Sequence, residues 1–164
     1  MAKQVDWIVA GLGNPGGEYK NSRHNIGWMV SAALAERHHK PVMQMNPKYM
    51  QSAFRIEGNL ILNILPTTYM NRSGQAILSA AGFYRVPADR IITISDEYNF
   101  PPGKLHLRKN GGHGGHNGLY SVIEQLGTKD FYRLRCGIGK DFPEGGMIEY
   151  VLDEFRDDEA ETRD

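Results

Sequence analysis

A single cysteine, Cys136, is all the thiol chemistry this 164-residue chain has, so it cannot close an internal disulfide. Cys136 lies in the apolar alternation of a predicted strand, which reads as a buried structural thiol in a reducing compartment and not as a nucleophile. No apolar run approaches the ~20 residues needed to cross a bilayer, and the opening MAKQVDW lacks a signal-peptide pattern. A cytoplasmic protein with no membrane partner is expected. Motifs are missing as well. No serine stands in G-x-S-x-G, no H-E-x-x-H occurs and no Walker lysine follows a glycine loop, which removes the hydrolase elbow, the zincin helix and the P-loop. Net charge is also absent, with 19 basic and 19 acidic side chains. The balance is uneven: residues 151–164 hold seven acids against Arg156 and Arg163, leaving 17 basic and 12 acidic groups, or +5, in the first 150. A mildly basic body with an acidic tail admits a polyanionic partner.

What the chain has in quantity is glycine, concentrated where strands end. Trp7–Ala10 suits a buried strand, and the stretch Gly11–Gly27, GLGNPGGEYKNSRHNIG, follows it. Its glycines permit positive φ and close backbone approach, and a strand that runs into such a loop is where α/β proteins hold their chemistry. Asn21 or Ser22 is expected to cap a first helix, with Ile26, Val30, Ala33 and Leu34 facing a core and Pro41 ending it. Ser52–Glu57 and Leu60–Leu65 read as a hairpin around Gly58–Asn59, and a second helix is predicted over Ser73–Tyr84. Ile91–Ser95 is a strand ending on Asp96–Glu97. Lys104–Lys109 alternates as a strand with one solvated basic face, and Leu119, Val122, Ile123 and Leu126 mark a helix that Gly127 stops. Tyr132–Ile138 is the last strand, residues 139–146 form a glycine-rich mobile stretch, and Met147–Leu152 starts a helical turn. No repeat or linker interrupts the chain. A single α/β domain, a mixed β-sheet flanked by helices, is the expected architecture.

Gly11, Gly13 and Gly16 match G-x-G-x-x-G, but Pro15 and the irregular residues after Gly17 replace the helix a dinucleotide needs, and no acid ends the next strand. His106, His113 and His116 lack metal-ligand spacing, so no metal is expected. An enzyme built here must activate water. Asp96 at the end of an apolar strand needs a partner, and His24 is a candidate, with turn capping as the alternative. Asn14, Asn71 and Asn117 could hold a developing oxyanion or position a water, but Asx turns and caps account for such residues too, and Asn117 reads as a plain helix cap.

Together the strings GLGNPGGEY, SRHNIG, PTTYMNRSG, SDE followed by PPG, GGHGGHNGL and RLRCGIG closely resemble the bacterial peptidyl-tRNA hydrolase family, in family order from Gly11 to Gly139. The resemblance implies a monomeric, cofactor-free enzyme that cleaves the ester between a peptide and the 3′ ribose of tRNA. By that match, His24 is the base that activates water, Asp96 orients it, and Asn14 and Asn71 position substrate and water. Met70, His116 and Asn117 line the peptide and tRNA-end channel, Tyr19 and Asn25 lie beside it, and Lys109 and Arg135 hold a tRNA phosphate. Tyr120 stands where the family usually has Lys or Arg, and Asn99 where an aspartate is common. The chain stops at Asp164, about where the family's terminal helix begins, so that helix is expected to be shortened. The alternative is an RNA-binding relative that kept the fold without hydrolysis.

Overall fold

The computed structural model describes residues 4–17 and 21–139. Apolar, β-branched runs form the centre of its sheet. Strands β1 (Trp7–Gly11), β4 (Asn59–Pro66), β5 (Ile91–Glu97) and β7 (Tyr132–Gly137) run parallel in the spatial order β4-β1-β5-β7. Antiparallel strands extend both sides: β3 (Tyr49–Ile56) and β2 (Met43–Asn46) beyond β4, and β6 (Leu105–Lys109) beyond β7. Helix α1 (Ile26–Arg37) covers one face, where Ile26, Ile94, Cys136 and Ile138 cluster. Helices α2 (Ser73–Tyr84) and α3 (Asn117–Leu126) cover the other, over Ile8, Ala10, Leu62, Ile64 and Phe131. This is the mixed α/β sheet expected from the sequence.

The chain leaves β1 toward one side of the sheet and returns through α2 to β5 on the other side of β1. Consecutive connections therefore diverge at the C-terminal end of β1, the place where open α/β sheets leave a crevice. The glycine loop, Asp96 and the end of β4 all meet that end.

Several local expectations change. The hairpin turn is Glu57–Gly58, one residue earlier than predicted: Ile56 pairs with Asn59, and both turn residues have positive φ, 50° and 84°. That is the twist two-residue hairpins favour. Helix α1 starts later and ends sooner than predicted, at Arg37 well before Pro41, after a 3-10 turn over Arg23–Asn25, and neither Asn21 nor Ser22 caps it. Its buried face is Ile26, Gly27, Ser31 and Ala35, while Ala33 is exposed. Ile26, Val30 and Leu34 pack on the sheet as expected, and small residues lie beside them where the helix comes close to the strands. A Cβ on Gly27 would stand 2.2 Å from the Ile94 carbonyl oxygen, so only glycine fits. Strand β2 had no sequence signal; it is short, edge-placed and interrupted by a register shift. The basic face of β6 is solvated at Arg108 as expected, but the apolar face is exposed as well, Leu105 at 63% and Leu107 at 58%, and His106 is half-buried. The expectations for 139–146 and 147–152, and for a shortened terminal helix, fall outside the described residues beyond Gly139.

Candidate active site

Three loops and the end of β5 build one crevice. Asn14 follows β1 and is buried; Asn25 Oδ1 accepts its N–H at 2.8 Å, and Asn25 Nδ2 donates to its carbonyl at 2.9 Å. With both backbone groups held, Asn14 presents a fixed side chain. Its Oδ1 accepts the Met70 N–H at 2.6 Å, leaving the amide nitrogen as the end that can donate further. The residue before Met70 is strained: Tyr69 adopts φ 67°, ψ 154°, a region left almost entirely to glycine, at a cost of about 1–3 kcal/mol. Strain of this kind collects at sites where the surrounding structure overrides it.

At the end of β5, Asp96 has a side chain only 4% exposed. Both its oxygens lie near His24 Nδ1, Oδ1 at 2.8 Å and Oδ2 at 2.9 Å. His116 Nε2 reaches Oδ1 at 2.7 Å from the other side, and the two imidazoles are tilted with centroids 5.0 Å apart. Burial alone would raise the Asp96 carboxyl's pKa, but its electrostatic and hydrogen-bonding interactions with His24 and His116 outweigh it and hold the group well below the usual carboxylate range. Asp96 is therefore an anion at neutral pH. It also adds to burial in pushing the neighbouring Cys136 thiol up to about 12, so that thiol is inert.

Among the described residues, His24, Asp96 and His116 are the group whose donor atoms, within 4.8 Å of one another, come near enough together for a metal ion. Tetrahedral ligands about 2.1 Å from an ion stand about 3.4 Å apart. The N···O separations of 2.7–2.9 Å are those of direct hydrogen bonds. The other histidines of the glycine loops go elsewhere: His113 Nδ1 accepts the Gly115 N–H, and His106 Nδ1 accepts from Arg135 Nη2 at 3.0 Å.

A basic surface flanks the crevice. Because β6 and β7 pair His106 with Arg135 and Arg108 with Arg133, these four side chains share one face of the sheet. Arg108, Arg133 and Arg135 line a small polar recess with Glu97 and His113. Arg133 is 2% exposed, donates to the Asn110 carbonyl at 2.6 Å and has its pKa lowered by burial, then by Arg108 and Arg135. Lys109 pairs with Tyr132 on the opposite face and lies 5.7 Å from that ring.

A family model described as peptidyl-tRNA hydrolase matches residues 8–164. The chain belongs to the peptidyl-tRNA hydrolase family. The peptidyl-tRNA hydrolase of Caldicellulosiruptor bescii is 41% identical over 157 residues, covering 96% of this chain and 82% of that protein. The enzyme of the same name from Methylobacillus flagellatus is 42% identical over 147 residues, 88% of this chain and 76% of the relative. The crystal structure of peptidyl-tRNA hydrolase from Acinetobacter baumannii superposes with a TM-score of 0.90 at 33% identity, across 99% of this chain and 84% of that one.

Within this member of the peptidyl-tRNA hydrolase family, the residues singled out in the sequence fall into distinct places. His24, Asp96, Asn14, Met70 and His116 converge on the crevice. Asn25 is fully buried with both amide ends spent on Asn14, so it stands behind the site and not in contact with a ligand. Met70 is 4% exposed and packs in the core. Asn71 is exposed on the 3-10 turn Met70–Arg72. Asn117 is exposed and is not the helix cap; His116 holds that position, its Nδ1 accepting the Leu119 N–H. Lys109 and Arg135 leave the sheet from opposite faces. Tyr19 lies outside the described residues. Sequence reasoning missed the strain at Tyr69, the His116–Asp96 bond and the pairing of Arg108 with Arg133. The last was accessible, because 106 and 108 on one strand and 133 and 135 on the other are two residues apart and so share a face.

Proposed function

We propose that this chain hydrolyses the ester joining a peptide to the 3′ ribose of tRNA and returns free tRNA, with water activated by His24. The carrying observation is that both Asp96 oxygens face His24 Nδ1, at 2.8 and 2.9 Å. A buried carboxylate there takes the Nδ1–H and leaves Nε2 with a lone pair toward the crevice. Nε2 removes a proton from water as the hydroxide oxygen bonds to the ester carbonyl carbon. The carbonyl oxygen becomes an oxyanion, for which the free amide end of Asn14 and the amide of Asn71 are donors. Collapse breaks the carbon–O3′ bond, and the proton on Nε2 passes to the departing ribose oxygen. General base catalysis contributes about 10²–10⁴-fold, and one oxyanion donor about 10²–10³-fold. An ester, already more reactive than an amide, needs neither a covalent intermediate nor a metal for this.

The tRNA backbone is met by the guanidinium face. Arg108 and Arg135 replace the pairing of Lys109 with Arg135 suggested by resemblance, because phosphate contacts need groups on a common surface. Asn117 and Tyr19 remain proposed contacts at the tRNA end. The protein acts as a monomer without a cofactor, which light scattering and activity in EDTA test directly. Incubation with N-acylated aminoacyl-tRNA, with release of free tRNA followed on an acid gel, tests hydrolysis. His24→Ala should lower kcat by about 10²–10⁴-fold while tRNA affinity stays within a few-fold. Absence of turnover in the folded parent chain would leave only a tRNA-binding role.

A further inference from the structure

We infer that His116 is a positioning residue held in one neutral tautomer by the helix it caps, and that its bond to Asp96 limits how tightly His24 keeps a proton. The inference rests on the catalytic reading of His24 and concerns a residue that resemblance assigns to the substrate channel.

His116 is the N-cap of α3, and its Nδ1 accepts the Leu119 N–H at 3.2 Å. An accepting nitrogen carries a lone pair, so the proton of the neutral ring is on Nε2. Nε2 then donates to Asp96 Oδ1 at 2.7 Å. Protonating Nδ1 would set N–H against N–H at the head of the helix and add positive charge where the helix dipole is already positive. The cap therefore disfavours the imidazolium form. Asp96 consequently has two neighbours of different kinds: His24, whose second nitrogen is open to solvent chemistry, and His116, whose second nitrogen is occupied by backbone.

The consequence follows from sharing one carboxylate. A donor on Oδ1 draws charge away from the anion and weakens its hold on the imidazolium that forms when His24 takes water's proton. With His116 in place, the proton leaves His24 more readily, both before the reaction, when Nε2 must be free, and after it, when the ribose oxygen must be protonated. The other titratable groups near the cluster do not supply this effect. Cys136, paired with Asp96 across β5 and β7, stays a neutral thiol, and Glu97 is engaged with Arg135 at 3.9 Å. Arg23, buried beside His24, is a fixed cation.

Two substitutions separate the cap from the donor. In His116→Asn the short amide can accept the Leu119 N–H but ends one atom short of Asp96. In His116→Gln the longer amide can donate to Asp96 but no longer caps. The acid limb of kcat/KM is expected to move up by about half to one pH unit in His116→Asn and to stay near the parent's in His116→Gln. The glutamine variant should instead melt about 2–4 °C lower, from the lost cap. An unmoved acid limb in His116→Asn, or an equal shift in both variants, overturns the inference. Nitrogen-15 imidazole spectra of the free parent chain supply a readout independent of hydrolysis. His116 protonated at Nε2 alone between pH 6 and 8, with His24 releasing its proton at higher pH in His116→Asn, is expected. A proton on His116 Nδ1 in that range, or an unchanged His24 titration, refutes it. Absence of turnover with the expected spectra would refute the hydrolytic reading and leave this one standing.

Discussion

Replacing Asp96 by Asn changes one atom and the charge, and the structure says how the exchange spreads. The carboxylate takes His116 Nε2–H on Oδ1 at 2.7 Å and His24 Nδ1–H on both oxygens at 2.8 and 2.9 Å. An amide has one acceptor. If its oxygen occupies the Oδ1 place, its NH₂ stands where Oδ2 was and meets the His24 N–H, donor against donor. His24 escapes by moving its proton to Nε2 and accepting at Nδ1, which occupies the nitrogen that must take a proton from water. Loss of the charge-assisted bond to the forming imidazolium costs about 1.5–3 kcal/mol, or about 10–150-fold. The wrong tautomer carries the total to about 10³–10⁴-fold in kcat. KM should stay within a few-fold, because the Asp96 side chain is buried behind His24. Stability changes in a defined direction. Asp96 titrates below its ordinary range in the folded chain, so the stability it contributes is present above about pH 4 and is lost as pH falls further. Parent and variant melting curves should therefore converge in acid. Single-turnover measurements with labelled peptidyl-tRNA give the rate of the chemical step without interference from product release. A loss below tenfold in a folded Asp96→Asn would refute the role given to the carboxylate.

Asn25→Ala frees both backbone groups of Asn14, and the two lost buried bonds should cost about 1–3 kcal/mol in a denaturant melt and lower kcat more than they raise KM. A purely substrate-binding Asn25 would instead raise KM at unchanged stability. Arg108→Ala should raise KM and reduce the slope of log KM against log salt by about one, whereas Lys109→Ala, on the opposite face beside Tyr132, should leave the slope nearly unaltered. Equal slopes in the two variants would remove the guanidinium face from the tRNA path.

The elements with a single strong period were legible. Helices α2 and α3, the central strands and the placement of Cys136 follow from apolar spacing and from Gly127 at a left-handed cap, φ 70°. Where several causes compete, reading failed for identifiable reasons. Helix α1 packs the predicted Ile26 with Val30 and Leu34 on the sheet, but it also buries glycine, serine and alanine because its backbone lies against β1 and β5, a close approach that apolar spacing does not display. In β6 Arg108 is solvated as expected but Leu105 and Leu107 are exposed too, so alternation gave the period correctly without showing that neither face is covered.

The site divides along the same line. That His24 and Asp96 could meet was arguable from a costly carboxylate at a strand end, since burying a charge demands a partner. That His116 joins them was not, because its two nitrogens serve two different needs, a helix cap and a carboxylate, and local sequence displays neither: it offers Asn117 as the cap. Asn25 shows the converse. Its position beside His24 suggested contact with a ligand, yet its amide is consumed in fixing Asn14. The residues proposed to touch substrate are ones whose polar atoms remain unspent after the fold has been satisfied. That remainder can be counted only when every partner is in place, which is why motif strings locate this crevice but do not apportion the work inside it.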